Sequence, residues 1–198
     1  MKVGNLFLRI RYPGLSVSNR IFSHLTFREK IILMKLASDQ SVRNIVEIGS
    51  FLGASAAALA AGLTRQGTVG SIFCIDTWNN DAMTEGTRNT MAEFLNNISV
   101  FDNYIVPIRG WSNDPKVVCQ VAAQAKKIDL LFIDGDHSLE GALSDWKSYY
   151  PLLSEHAIVA MHDIGWAEGV QRVVMEEIKP RVVREGRLPN LWWGWFDK

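Results

Sequence analysis

Short apolar segments separated by helix-length stretches are the feature that most constrains how this chain can fold. The apolar segments lie at residues 44–49, 71–76, 103–108, 128–134 and 157–163. The stretches with helical patterns between them lie at residues 53–63, 87–99, 115–126 and 138–150. Strands that alternate with helices form parallel βαβ units. The pattern therefore predicts an α/β fold with a doubly wound, mostly parallel, Rossmann-like sheet.

The two ends of the chain extend this pattern. Thr26 and Glu29 form a capping box ahead of an apolar-periodic run to Leu36, which predicts a helix. Near the other end, residues 169–178 predict a helix, and residues 180–185 and 191–196 predict two strands. With no crossover helix between them, these strands are expected to form an antiparallel hairpin, giving seven strands in all. We expect one domain over 1–198, with an N-terminal segment at 1–40, a ligand-binding core at 43–164 and a C-terminal part at 165–198.

Charge and composition narrow the functional classes. The 198 residues contain 21 basic and 21 acidic side chains, which argues against a nucleic-acid-binding surface. Residues 1–43 nevertheless carry eight lysines and arginines against two acids, consistent with a solvated face or with a lid over an anionic group. Loop 77–86 is a second candidate lid.

Cys74 and Cys119 are expected to be small buried side chains, and no apolar run is long enough to span a membrane. We expect a cytoplasmic protein.

Polar or glycine residues follow the end of each predicted parallel strand, where open α/β sheets bind their ligands. They are Glu47, Gly49, Ser50, Gly53 and Ser55; Asp76, Thr77 and Trp78; Gly110, Trp111 and Ser112; Asp134 and His137; and His162 and Asp163. Because the carboxyl ends of parallel strands meet at one edge of the sheet, these residues predict a single site there.

The first of these loops has the pattern E-x-G-x-x-x-G, in which glycines allow the backbone to approach a ligand closely. Phe51 stands where the pyrophosphate-binding pattern G-x-G-x-x-G needs its second glycine, which disfavours a nicotinamide dehydrogenase. Asp76 ends the second strand, where a carboxylate can accept both hydroxyls of a ribose. Capping of the following loop is the alternative role for Asp76.

From about Arg43 to Ile164, these features resemble the class I S-adenosylmethionine-dependent methyltransferases. The resemblance implies that the E-x-G-x-x-x-G loop contacts the methionine part of S-adenosylmethionine. It also implies that Asp76 contacts the ribose and that Gly110, Trp111 and Ser112 lie beside the adenine. A cofactor without phosphate agrees with the missing pyrophosphate motif.

The strings IDLLFIDGDHSLEGALSDWKSYYPLL and AIVAMHDI resemble a narrower group of metal-assisted O-methyltransferases. That group includes macrocin-type sugar methyltransferases and proteins labelled cephalosporin hydroxylase. The resemblance implies that a magnesium ion is held by Asp134 together with His162 and Asp163, the two residues that end the next strand. It further implies that His137 is the general base, and that the acceptor is a small-molecule hydroxyl of a sugar or secondary metabolite.

One position departs from that group, because His162 stands where an acid is usual. Imidazole is a poor ligand for magnesium but suits manganese, iron or zinc. Three alternatives follow: another divalent cation, a metal-independent methyltransferase, or a binding protein of the same fold without catalysis. For His137, the alternative to catalysis is a capping role at the helix that begins near Ser138.

The tryptophans also leave alternatives open. Trp78 and Trp111 lie on strand-end loops, where an indole either stacks on a base or packs in the interior. Trp192, Trp193 and Trp195 are expected to alternate between the faces of an edge strand. An exposed part of this cluster would form a homodimer interface or a wall of the substrate site.

Overall fold

A computed structural model describes residues 12–67, 69–80 and 86–197. The seven strands are β1 (Asn44–Ile48), β2 (Ser71–Asp76), β3 (Ile105–Arg109), β4 (Ile128–Ile133), β5 (Leu153–His162), β6 (Val182–Arg187) and β7 (Leu191–Phe196). They form one sheet in the order β3-β2-β1-β4-β5-β7-β6. The first five strands are parallel, and β7 runs antiparallel to both β5 and β6. The predicted mostly parallel sheet with a C-terminal hairpin is confirmed.

Within the described residues, six α-helices flank the sheet: α1 (Phe27–Ala37), α2 (Ala54–Gln66), α3 (Met91–Ile98), α4 (Pro115–Ala125), α5 (Leu139–Tyr149) and α6 (Glu168–Arg172), which continues as a π-helix over Val173–Ile178. The capping box predicted for α1 is present, with Thr26 and Glu29 bonded reciprocally. None of the helices in the described ranges is long and apolar enough to cross a membrane.

Two apolar clusters cover the two faces of the sheet. Side chains from α1, α2 and α3 pack on one face, and side chains from α4, α5 and α6 pack on the other. Val46 and Ile48 face one cluster, while Ile45, which precedes Val46, faces the other. This alternation follows from the period of two along a strand, and it buries β1 on both sides.

The strand register aligns the carboxyl ends of the parallel strands. Ile48 of β1 pairs with Ile75 of β2 and with Ile133 of β4. Ile133 in turn pairs with Met161 of β5. The residues that follow these positions therefore lie at one level along the same edge of the sheet, as the sequence predicts.

Some details differ from the prediction. Helix α3 begins at Met91 rather than residue 87, and β5 begins at Leu153, four residues before the predicted start. Cys74 is buried as expected, but the prediction that Cys119 is buried is wrong. Helix α4 buries Val117 and Val121, and Cys119 lies midway between them on the opposite, solvent-exposed face.

The two candidate lids fall partly outside the described residues, since residues 1–11 and 81–85 are not among them. The described part of the N-terminal segment packs against the protein. Lys30 is buried and donates a hydrogen bond from Nζ to the carbonyl of Ser18 at 2.9 Å. Ser18 donates from Oγ to the carbonyl of Ala54 at 2.6 Å. These bonds attach residues near Ser18 to the start of α2, beside the loop that follows β1.

Candidate active site

The loop after β1 comes into close contact with the loop after β4. Gly49 has a φ of +83°, and a Cβ added there would lie 2.1 Å from the carbonyl oxygen of Asp134. Gly53 has a φ of +89°, and a Cβ there would lie 2.6 Å from Ile98. Both positions therefore require glycine, on grounds of conformation and of space. The two glycines of the E-x-G-x-x-x-G pattern bring the loops together at the sheet edge.

Glu47 is fully buried beneath this loop. Its Oε2 accepts hydrogen bonds from Ser50 Oγ at 2.6 Å and from Cys74 Sγ at 3.2 Å. A further hydrogen bond comes from the side chain of Ser55. Its Oε1 is buried without a partner among the described residues. Burial raises the pKa of Glu47 to about 7, although these hydrogen bonds oppose the rise.

Asp76 links the loops that follow β1 and β2. Its Oδ2 accepts a hydrogen bond from the backbone N–H of Phe51 at 2.8 Å, and its Oδ1 accepts one from the N–H of Trp78 at 2.6 Å. Each carboxylate oxygen has two lone pairs, so these bonds leave room for one further donor at each. The capping role is thus present, and it is compatible with binding of ribose hydroxyls.

The two tryptophans on strand-end loops have different environments. Trp78 is completely buried, packs on Phe94 with ring centroids 4.8 Å apart, and donates from Nε1 to the carbonyl of Phe51. The structure therefore favours the packing alternative for Trp78. Trp111 is 63% exposed, which leaves its indole available to a ligand. Thr77 is half-buried, and its carbonyl accepts a hydrogen bond from Arg109 Nε at 3.0 Å.

The Gly110–Ser112 loop is fixed by helix α5. Ser112 Oγ donates to Asp145 Oδ1, and Tyr149 OH donates to the carbonyl of Ser112 at 2.8 Å. Burial raises the pKa of Asp145 to about 6. Ser112 is predictable from its position after a strand, but Asp145 is not, because an acid in the middle of a helix carries no signal of a contact with a distant loop.

His137 forms a hydrogen-bonded pair with Asp163. The distance from His137 Nε2 to Asp163 Oδ2 is 2.7 Å. The capping alternative for His137 does not hold, because the N-cap of α5 is Ser138, whose side chain accepts from the N–H of Gly141. The hydrogen bond with Asp163 raises the pKa of His137, and burial opposes the rise only in part. Asp163 therefore orients the imidazole and makes it more basic.

Trp166, three residues after Asp163, contacts both members of this pair. Its Nε1 donates to Asp163 Oδ1 at 2.7 Å, and its ring lies edge-on to His137 with centroids 5.1 Å apart. The Trp166 side chain is still 64% exposed. The indole thus positions Asp163 while leaving one ring face open beside His137.

His162 lies at the centre of a cluster of acids. Its Nδ1 is 3.0 Å from Asp134 Oδ1 and 3.3 Å from Asp163 Oδ1. Its Nε2 is 3.8 Å from Oε2 of Glu29 in the first turn of α1. Burial disfavours the imidazolium, but the three carboxylates outweigh it and raise the pKa of His162. Hydrogen bonds from His137 and His162 likewise outweigh burial and hold the pKa of Asp163 well below its usual range.

The three residues predicted to hold a metal do meet at this place. Asp134, His162 and Asp163 each offer one ligand atom, and these atoms lie within 4.8 Å of one another. His162 Nδ1 nevertheless forms a hydrogen bond with Asp134 Oδ1 at 3.0 Å, and because an ionised carboxylate can only accept, the nitrogen carries the hydrogen. The donor set therefore does not fit a divalent cation as it stands, since a liganding nitrogen must offer a lone pair rather than a hydrogen.

Three residues of this site have no functional prediction from the sequence. The sequence around Glu29 indicates only a capping box, and no pattern marks Trp166 or Asn190. Asn190 precedes β7, whose register sets Leu191 opposite His162. Its Nδ2 donates to Asp163 Oδ1 at 2.9 Å. No local pattern could have placed a turn residue of the terminal hairpin against the end of β5.

The comparison with protein families decides the class. Residues 46–164, more than half of the chain, match the family model described as Methyltransferase domain. The chain belongs to this methyltransferase family. The matched residues include every strand-end loop described above, from Glu47 to Asp163. A search of curated protein sequences gives no match for this methyltransferase.

Solved structures give the same fold. The O-methyltransferase NovP matches with a TM-score of 0.72 at 15% identity, over 89% of this chain and 82% of NovP. The Bacillus cereus O-methyltransferase in complex with S-adenosylhomocysteine (SAH) matches with a TM-score of 0.69 at 16% identity, over 100% of this chain and 92% of that one. MycE, in complex with Mg, SAH and mycinamycin VI, matches with a TM-score of 0.62 at 15% identity, over 95% of this chain and 56% of MycE. The predicted Rossmann-like methyltransferase fold is confirmed.

Proposed function

We propose that this methyltransferase moves the methyl group of S-adenosylmethionine to a hydroxyl oxygen of a small-molecule acceptor. The observation that carries the proposal is the 2.7 Å pair of His137 Nε2 and Asp163 Oδ2 at the carboxyl edge of a methyltransferase sheet. A base held by a second group is the usual arrangement for removing a proton from a hydroxyl.

The loops after β1, β2 and β3 are the proposed binding site for S-adenosylmethionine. Gly49 and Gly53 keep the first loop free of side chains where the backbone turns. Asp76 has spare lone pairs for the ribose, and the exposed Trp111 lies on the loop proposed to meet the adenine. The loop after β1 has Phe51 in place of the second glycine of the pyrophosphate-binding pattern, which agrees with a cofactor that has no phosphate.

The proposed chemistry needs one proton acceptor at a defined atom. His137 donates the hydrogen on Nε2 to Asp163, so Nδ1 is the nitrogen that takes the hydroxyl proton from the acceptor. The acceptor oxygen then forms a bond to the methyl carbon as the carbon–sulfur bond breaks, and its electrons remain on sulfur. The loops supply position and exclude water, which accounts for much of the rate in such a transfer.

The acceptor site is proposed to lie beside His137 and Trp166. The side chain of His137 is 34% exposed, and the open face of Trp166 adjoins it. An indole face suits the apolar C–H face of a sugar ring or a flat aromatic ring. The ligand named for MycE, mycinamycin VI, and the biosynthetic pathway named with it support a natural product as the acceptor class.

A methyl-transfer assay with labelled S-adenosylmethionine and a panel of hydroxylated acceptors tests the proposal. We expect His137→Gln to lower kcat by roughly 10²- to 10⁴-fold, the contribution of a general base, without changing SAH affinity. His156→Gln is the matched control, because His156 is 70% exposed and pairs with Asp197 instead. An unchanged rate in His137→Gln would refute the assignment. SAH binding without transfer to any acceptor would favour the non-catalytic alternative.

A further inference from the structure

The position of His162 suggests a function that neither the family match nor the structural neighbours assign to it. In the metal-assisted O-methyltransferases that this chain resembles, an acid at the position of His162 helps to bind a metal. Here the imidazole is buried, and one of its N–H groups lies between two carboxylates, 3.0 Å from Asp134 Oδ1 and 3.3 Å from Asp163 Oδ1. A hydrogen-bond donor thus lies between the same oxygens that a bridging cation would join.

In a neutral His162 imidazole, Asn190 determines which nitrogen carries the hydrogen. Asn190 Oδ1 accepts a hydrogen bond from the backbone N–H of Gly165 at 3.0 Å, so its Nδ2 points toward the site. That Nδ2 lies 3.3 Å from His162 Nε2. In a neutral imidazole, Nε2 must therefore accept, and Nδ1 must carry the hydrogen. In the imidazolium both nitrogens carry one. In either state, Nδ1 has no lone pair for a metal.

The oxygens of Asp163 are also occupied by donors. Trp166 Nε1 and Asn190 Nδ2 donate to Oδ1 at 2.7 and 2.9 Å, and His137 Nε2 contacts Oδ2 at 2.7 Å. An indole nitrogen can only donate, so this contact cannot reverse to suit a cation. Two donors thus take both lone pairs of Oδ1, whereas Oδ2 keeps one lone pair beside its contact with His137, so the nitrogen of His162 decides whether a cation can bind here.

We propose that the imidazole of His162 replaces the divalent cation at this site: its Nδ1–H donates to Asp134 Oδ1, and the same nitrogen lies 3.3 Å from Asp163 Oδ1. His162 is thereby a positioning residue, because it holds Asp163 where that carboxylate orients His137. Methyl transfer by this chain then needs no metal. The catalytic part of this inference rests on the proposed function, whereas the exclusion of a metal by His162 does not.

Binding of Mn²⁺ to the purified protein, followed by the electron paramagnetic resonance signal of free Mn²⁺, tests the proposal without any acceptor. We expect no binding by the wild type. We expect His162→Asp to bind Mn²⁺ at least about tenfold more tightly than the wild type, because it restores an oxygen ligand between two others. His156→Asp adds the same charge at an exposed position and should not bind.

Stoichiometric binding of Mn²⁺ by the wild type would overturn the proposal, whatever the variants do. If His162→Asp unfolds, His162→Asn supplies a neutral oxygen at the same place, and its failure to gain Mn²⁺ affinity would count against the replacement. Retention of wild-type activity in excess EDTA is expected as well. Failure of SAH binding would refute the proposed function but leave the Mn²⁺ result readable, so the two failures are distinguishable.

Discussion

Replacement of Glu47 by glutamine should change how the stability of this methyltransferase depends on pH. Glu47 is fully buried, and its Oε1 has no partner among the described residues. Burial raises its pKa from 4.5 to about 7. Glutamine mimics the protonated, neutral side chain and keeps an oxygen acceptor for Ser50, so it removes the titration while preserving the shape.

The size and the sign of the effect follow from this shift. A carboxyl whose pKa is higher in the folded state stabilises the fold fully below its unfolded pKa. That contribution is lost as pH rises through the folded value. A rise from 4.5 to about 7 corresponds to roughly 3 kcal/mol in the free energy of unfolding. The wild type should therefore lose about 2 to 3 kcal/mol relative to Glu47→Gln between pH 5 and pH 8.

Urea unfolding at 25 °C, measured at intervals from pH 5 to pH 8, would show this difference. The free energies of wild type and Glu47→Gln should be closest at pH 5 and should diverge in favour of the variant as pH rises. Glu155→Gln, at an exposed strand position, should follow the wild type throughout. Parallel curves for wild type and Glu47→Gln would refute the reasoning, because they would mean that Glu47 titrates alike in both states.

Three further predictions concern the loop after β1, the N-cap of α1 and the pair of His137 and Asp163. Gly49→Ala places a Cβ 2.1 Å from the carbonyl of Asp134, so calorimetry should show SAH affinity reduced by about tenfold or more. Unchanged affinity would exclude this loop from the binding site. Thr26→Ala removes the capping box and should cost about 1 kcal/mol in chemical unfolding; equal stability would show that the cap is dispensable. Asp163→Asn removes the main cause of the raised His137 pKa, so the acidic limb of the pH–rate profile should move to lower pH. An unmoved midpoint of that limb would mean that another group limits the rate.

The sheet could be predicted because its signals are local. Buried parallel strands are continuous apolar runs bounded by polar or glycine residues, and IDLLFID is such a run. The capping box at Thr26 and Glu29 and the proline that begins α4 are equally local. Where local signals are weak, the prediction was less accurate, as at the start of α3.

The membership of the site was predictable only for residues at strand ends. Asp134, His162 and Asp163 meet because the register of neighbouring strands aligns them. Glu29 and Asn190 reach the same place from α1 and from the terminal hairpin, through contacts between segments far apart in the chain. The hydrogen-bond directions that distinguish a bridging imidazole from a metal ligand depend on those contacts, so the sequence left that choice open.

Titration calorimetry of the purified protein with SAH tests the central claim most directly. We expect binding in the micromolar range by the wild type, and weaker binding by Asp76→Ala, whose carboxylate links two of the binding loops. Asp102→Ala, an exposed acid before β3, should bind as the wild type does. Absence of binding by the folded wild type would contradict the account, because the resemblance to methyltransferases would then extend to the fold but not to the cofactor.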